Sequence, residues 1–338
     1  MGAVERKRLL QAIGEARNSA ALLYVTSDRP GMESQIGNDA FDYFVQHLNI
    51  IWKSTKRITL ILHTAGGDTS AAWRLINLLR IFCEDLEVLI PTRAHSAGTL
   101  ISLGAKRIVM TKQASLGPID PSLTGPLSPG VPGQPHQRVP VSVEAVQGYI
   151  DLAREVLGIS DDSALAQVLN NLSAQVHPLV LGQIFRSRNQ IRSMAEELLA
   201  DKSLEEGKLR GIVNFLCSES GSHDRTINRR EATSLGLNIE QVSAELYPSV
   251  NALYEDFCEE MELRKKFDPM MMLGSNAQTD FSCVRVLIES LDGGSTQKLT
   301  KGTIRTIMQQ QPGLVAQPMP VHAAEIMLSY EGWEHSNG

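Results

Sequence analysis

A chain of 338 residues with 42% hydrophobic and 21% charged side chains is ordinary globular material, long enough for one large domain with appendages or for two domains. Its net charge of −6 excludes a general nucleic-acid binder, because there is no basic field to neutralise phosphates. Four widely spaced cysteines, Cys83, Cys217, Cys258 and Cys283, include no C-x-x-C pair, which argues against a disulfide framework or a zinc site and for reduced, buried thiols.

No run approaches ~18 consecutive apolar residues, and Met1–Arg17 reads as a charged helix and not as a signal peptide. The expectation is a cytoplasmic protein without a membrane anchor. Val4–Arg17 carries Leu9, Leu10 and Ile13 at helical spacing. Ala20–Thr26 suits a buried strand and ends in the turn signal Asp28-Arg29-Pro30-Gly31. Asn38 or Asp39 is expected to cap a helix over Ala40–Trp52. Strand Ile58–His63, helix Thr69–Cys83 with Asp68 as its cap, strand Glu87–Pro91, helix Leu100–Ala105 and strand Arg107–Met110 follow. Strand and helix alternating at this pace predict βαβ units, a mostly parallel sheet and working residues at the C-terminal ends of its strands.

Two of those ends carry chemistry. Thr64-Ala65-Gly66-Gly67-Asp68 follows one strand, and Arg93-Ala94-His95-Ser96-Ala97-Gly98-Thr99 follows the next. A serine at a strand-to-helix corner exposes its Oγ where free N–H groups favour negative charge, as a nucleophile attacking a carbonyl requires. Gly66 and Gly67 allow close backbone approach and a free N–H, and the Ala97 N–H supplies a second donor to an oxyanion. Taken singly, each corner also reads as a plain turn with a helix cap.

Beyond the corners, Leu123–Pro140 holds five prolines and three glycines and reads as a surface loop or lid. Helices are expected at Val143–Leu157, Asp162–Ser173, Pro178–Leu199 and Leu204–Leu216, with a last turn at Glu231–Gly236. Gln241–Phe267 reads as helical after an interruption at Pro248. Phe281–Leu291, the turn Asp292-Gly293-Gly294 and Gln297–Thr303 predict a hairpin. The chain divides at residue 240: a domain 1–240 containing the loop 123–140 and the helical region 143–216, then a helix and hairpin appendage, 241–338. The apolar stripes Leu75/Leu78/Leu79 and Leu152/Val156 are core or subunit contact, and nothing in the sequence calls for a cofactor or a metal.

The ordered motifs ILHTAGGDTSAA, AHSAGTLISLGAKRIVM, ASLGPIDPSL and REATSLGLNI resemble the serine dehydrogenase proteinase family, a branch of the peptidases related to signal peptide peptidase A. The resemblance runs from about Leu22 to Ile239, with IES…GWE near Trp333 as a further echo. It implies a Clp protease/crotonase-like spiral of ββα units, a serine nucleophile at Ser96, an oxyanion hole at Gly66, Gly67 and Ala97, and a homo-oligomer. Signal-peptide-type relatives use a lysine base, yet no lysine lies between Lys112 and Lys202. Clp-type relatives place a histidine where this chain has Gly117-Pro118-Ile119. The expected base is therefore His223, because this branch often carries a histidine just before the E-A-x-x-x-G-L element. Its pKa of ~6.5 suits proton transfer at neutral pH. Asp224 or Asp120 would orient it, and His136 in the proline-rich loop is the second candidate. His95 is expected to turn away into packing or to a backbone carbonyl, and His63 to be a satisfied buried histidine, with lining the pocket as the alternative. The substrate would be a peptide or protein, supplied with or without a delivering partner protein. A catalytically silent subunit and a crotonase-type acyl-CoA enzyme are the alternatives.

Overall fold

Residues 2–119, 122–131, 133–202, 204–219, 225–311 and 319–336 are described in a computed structural model of the chain. The first part runs α1 (Ala3–Arg17), β1 (Ala20–Thr26), α2 (Phe41–Ile51), β2 (Arg57–His63), α3 (Thr69–Phe82), β3 (Asp85–Ile90), β4 (Arg93–Ala94), α4 (Ala97–Leu103), β5 (Arg107–Met110) and β6 (Ser115–Leu116). Four short strands follow, β7 (Ser122–Leu123), β8 (Gly130–Val131), β9 (Gln134–Arg138) and β10 (Val141–Ser142). Four helices come next, α5 (Val143–Asp151), α6 (Asp162–Gln175), α7 (Pro178–Ala200) and α8 (Glu206–Asn214). The last part runs β11 (Ile227–Asn228), α9 (Arg229–Leu235), β12 (Ile239–Gln241), α10 (Tyr247–Glu260), α11 (Pro269–Leu273), β13 (Gln278–Ser290), β14 (Gly294–Gln311) and β15 (Met319–Ser336).

The main sheet has the order β12-β5-β3-β2-β1-β13-β14-β15. From β12 to β1 neighbouring strands are parallel, and from β1 to β15 they are antiparallel. Of these, β1, β2, β3 and β5 are buried on both faces, which is why they read as continuous apolar runs. Along β2, Ile58, Leu60 and Leu62 join the cluster under α2, α3 and α4, while Ile61 joins the one under α1 and α10. Leu75 and Leu79 of α3 are core, whereas Leu152 and Val156 are exposed.

Several expectations need correction. Asn38 and Asp39 do not cap α2 through their side chains; they lie in a 3-10 turn, Asn38–Ala40. Asn38 instead bonds Asp68 and Arg74, and Asp39 bonds Lys298 and Trp333. Pro248 begins α10 instead of interrupting it, since a missing N–H costs nothing in a first turn. The stretch 123–140 is not all loop, because β8 and β9 pair as a small antiparallel hairpin. The helix after the serine starts at Ala97, not Leu100, so Ser96 sits directly at its entry. The C-terminal hairpin is longer than its apolar pattern, gains β15 as a third strand, and is joined to the sheet where β13 pairs with β1.

Two polar anchors tie these later strands to the rest. The Arg6 guanidinium, fully buried, meets Asp256 at 2.7 Å, Glu289 at 2.8 Å and Glu260 at 2.5 Å, linking α1 to α10 and β13. His47 of α2 is 1% exposed, and its ring nitrogens meet Ser290 Oγ at 2.7 Å and Thr296 Oγ1 at 3.1 Å, on either side of the β13–β14 turn. Burial first, and His335 next, push the His47 imidazole down from 6.5 to about 4.

Replacing Arg6 by alanine strands buried carboxylates and is expected to cost about 3–5 kcal/mol in denaturant unfolding; a loss under ~1 kcal/mol would contradict the anchor. His47 binds a proton more readily in the unfolded chain, so its contribution is complete above pH 6.5 and is lost as pH falls through about 4. At 1.36 kcal/mol per pKa unit this amounts to roughly 3 kcal/mol. Urea unfolding between pH 7.5 and 4 should show that loss in the wild type and a flatter profile in His47→Gln.

Candidate active site

The serine corner is built by β3 ending at Ile90, the two-residue strand β4 and the start of α4. Ser96 holds φ 50° and ψ −114°, a backbone conformation that side-chain-bearing residues adopt only under strain. Its hydroxyl makes no capping hydrogen bond, which removes the plain helix-cap reading of this residue. The Ala97 N–H, first in its helix, has no partner among the described residues, whereas the Gly98 N–H donates to the His95 carbonyl at 2.8 Å.

The glycine loop lies against this corner. Gly66 has φ +124°, and a Cβ there would fall 2.8 Å from the Ser96 Cβ and 3.4 Å from its Oγ. A Cβ on Gly67, at φ +148°, would collide with the backbone N and O of Ile36. The Gly66 carbonyl accepts from the Ile36 N–H at 2.9 Å, and the Asp68 N–H donates to the Ile36 carbonyl at 2.9 Å. Peptide groups alternate in direction along an extended segment, so the Gly67 N–H points away from Ile36. The Gly66 N–H donates to Thr64 Oγ1 at 3.0 Å. Of the two glycines expected as oxyanion donors, Gly67 is the one whose N–H has no partner among the described residues, while the Gly66 N–H is taken by Thr64. Asp68 caps α3 as expected, accepting from the Ser70 and Ala71 N–H groups.

Three residues that sequence reasoning passed over hold the corners together. Thr64 Oγ1 meets Thr26 Oγ1 at 2.7 Å as well as the Gly66 N–H. Gly98 lets α4 pack on that threonine, for a Cβ there would stand 2.5 Å from Thr64 Cγ2. The buried Thr99 Oγ1 lies 2.9 Å from the Ala94 carbonyl and 2.7 Å from that of Gly117, whose N–H donates back at 3.1 Å. A threonine at the head of T-A-G-G and another at the end of S-A-G-T were the available signals.

A second small sheet, β11-β6-β4, continues the site. β6 runs parallel to β4 and β11 runs antiparallel to β6, with Ile227 opposite Leu116. The chain preceding Ile227 thus enters at the end of β4 and β6 where Ser96 and Gly117 lie. Leu216 is tied to the same end, since its carbonyl accepts from the Ile119 N–H at 2.8 Å. His223, Asp224 and Asp120 lie outside the described residues, and His136 is carried on β9. His95 turns to Ser115, Nε2 to Oγ 2.9 Å, with its ring beside Gly117. His63 faces α10, with Nδ1 2.7 Å from Thr92 Oγ1 and Nε2 3.4 Å from Asp28 Oδ2. Burial alone would raise the Asp28 carboxyl, but His63 and Arg93 outweigh it and hold it below its ordinary value. Among the described residues no group of histidine, cysteine or acidic side chains could hold a metal ion, and no helix is long and apolar enough to cross a membrane.

A mostly parallel sheet with a strained serine and a glycine loop at adjoining strand ends defines a ClpP-like α/β fold. Residues 48–132 match the family described as ClpP-like SDH-type serine proteinase, so the resemblance to serine dehydrogenase proteinases is shown over the stretch that carries both Gly66-Gly67 and Ser96. Two uncharacterized proteins of Methanocaldococcus jannaschii are similar to the chain. One is 31% identical over 57% of this chain and 57% of its own length; the other is 30% identical over 54% and 51%. The chain thus spans just over half the length of these curated relatives. Among solved structures, two mutant forms of the 1510-N membrane-bound stomatin-specific protease, one in complex with a substrate peptide, align at 16% identity. Their TM-scores are 0.40 and 0.38, over 64% and 62% of this chain and 79% and 71% of theirs, too loose a likeness to bear on the site.

Gly66→Ala would drive a methyl group into Ser96 and strain a positive φ. It is expected to abolish active-site labelling by a fluorophosphonate and to lower stability by about 1–3 kcal/mol. Labelling at the wild-type rate would show that the two corners do not act together.

Proposed function

We propose that the chain is a serine peptidase whose nucleophile is Ser96. The observation that carries this reading is the strained Ser96 backbone, with a hydroxyl that makes no capping hydrogen bond and faces a loop where only glycine fits. The Oγ attacks the substrate carbonyl carbon, and the oxyanion that forms is held by the Gly67 and Ala97 N–H groups. The base takes the Oγ proton and returns it to the departing amine; water then hydrolyses the acyl-enzyme by the same route in reverse.

His223 is the base in this reading, with Asp224 or Asp120 to orient it and His136 as second candidate. The support is topological. His223 stands four residues before Ile227, an extended reach of about 14 Å. Leu216 and Ile227, which flank it in sequence, are both tied to the 116–119 segment that Thr99 joins to the serine helix. A crotonase-type acyl-CoA enzyme would have no use for a strained serine at this corner. We extend the proposal to a cytoplasmic homo-oligomer acting on peptides or proteins, alone or with a delivering partner, with residues 1–240 as the catalytic domain and 241–338 completing its sheet.

Fluorophosphonate labelling tests the reading. The wild type should be labelled, Ser96→Ala should not be, and His223→Ala should react roughly 10²–10⁴-fold more slowly. Labelling that survives His223→Ala at full rate would keep the nucleophile and discard that base. A folded wild type that is never labelled would point instead to a silent subunit.

A further inference from the structure

The glycine loop and the serine corner are joined by backbone as well as by packing. Thr64 and Ala94 form a parallel bridge: the Thr64 N–H donates to the Arg93 carbonyl at 3.1 Å, and the His95 N–H donates to the Thr64 carbonyl at 3.1 Å. This bridge stands three residues from each proposed oxyanion donor, Gly67 on one strand end and Ala97 on the other. Its register therefore sets how far apart those two N–H groups lie. The tolerance is narrow, because donors to an oxyanion act at roughly 2.7–3.1 Å.

The residues just before the bridge, His63 and Arg93, send their side chains to a single atom. Asp28 Oδ2 lies 3.4 Å from His63 Nε2 and 3.0 Å from Arg93 Nη1. His63 is 1% exposed, packed against Phe257 of α10, and its Nε2 has no aligned hydrogen bond among the described residues. A neutral ring serves both neighbours by accepting from the Thr92 hydroxyl at Nδ1, 2.7 Å away, and turning an Nε2 proton toward the carboxylate. Arg93 is 44% exposed, so solvent screens its share of the contact. Against its burial, His63 and Arg93 hold the Asp28 carboxyl below its ordinary value, and it stays charged at neutral pH. Asp28 also belongs to the segment that grips the glycines from the other side. That segment is closed by the Ser34 N–H donating to the Ser27 carbonyl at 2.7 Å, and it delivers Ile36 to Gly66 and Asp68.

We propose that Asp28 is a positioning residue for the oxyanion hole: by drawing His63 and Arg93 to one carboxylate it clamps the Thr64–Ala94 bridge and so fixes the Gly67 N–H relative to the Ala97 N–H. The inference rests on the peptidase reading of Ser96. Asp28 touches neither substrate nor Ser96 in this scheme; it acts through the two residues it holds. Three segments, those after β1, β2 and β3, are thereby locked to each other at the point where their chemistry converges.

Fluorophosphonate labelling of the full chain over a range of probe concentrations, which separates the saturation constant KI from the limiting rate kinact, tests the clamp. Asp28→Asn and His63→Leu should each lower kinact about ten- to a hundredfold, with KI and the folded fraction unchanged. His63→Gln, whose amide reaches Asp28 from the Nε2 position, should restore most of the rate, although leucine fills the apolar space better. The double variant Asp28→Asn/His63→Leu should be no slower than the slower single one, because both act through one contact. Wild-type kinact in folded Asp28→Asn, or equal rates for His63→Gln and His63→Leu, overturns the clamp and leaves the nucleophile in place. Should Asp28→Asn fail to fold, the His63 pair decides. A folded wild type that is never labelled overturns the peptidase reading, and the clamp falls with it.

Discussion

The structure turns on one steric constraint: the backbone of Gly66-Gly67 is wedged between Ile36 on one side and Ser96 on the other, with no space for a β-carbon at either position. Ile36 grips the loop by two backbone hydrogen bonds, and Ser96 accepts a strained φ of 50° to face it. Strain of this kind persists only where its surroundings overdetermine it. Here those surroundings are Thr64, which ties the loop to β1, and Thr99, which ties the serine helix to the chain after β6. Gly98 contributes by letting that helix settle onto Thr64.

The sheet supplies the rigidity behind this arrangement. Two hydrophobic clusters sandwich it, one beneath α2, α3, α4 and α7, the other beneath α1 and α10. The antiparallel strands β13 to β15 extend it beyond β1, and charged and polar groups as well as apolar packing bind them to the parallel half. Arg6 holds three carboxylates contributed by α10 and β13, and His47 bridges both sides of the turn between β13 and β14. Ser96 and the glycine loop thereby stand together at the C-terminal ends of neighbouring parallel strands.

Much of this was legible in the residues. The alternation of apolar runs predicts the parallel strands and their helices closely, because both strand faces are buried and the pattern is unbroken from Leu22 to Met110. The two glycine-bearing corners stand out because small residues at strand ends are where a backbone must come close. Other features were hidden for physical reasons. Asn38 and Asp39 look like caps, but distant partners, Asp68 and Arg74 for one and Lys298 and Trp333 for the other, claim their side chains. β15 has no clean alternation because it is an edge strand with Ile326, Met327 and Leu328 all exposed. Pro248 marks a helix start and not a break, a distinction set by where the first turn falls.

By itself the amino-acid sequence determined the fold class, the parallel core, the position of the serine and its pairing with a glycine loop, since these follow from local pattern and from motifs that resemble a known family. Only the tertiary structure decided which glycine N–H has no partner among the described residues, that Ser96 is strained and not a cap, and that the partners of His95 and His63 are Ser115, Thr92 and Asp28. Each of those outcomes depends on which groups meet across more than twenty residues of chain or in a neighbouring element, and such competition for hydrogen bonds and space leaves no mark on local periodicity.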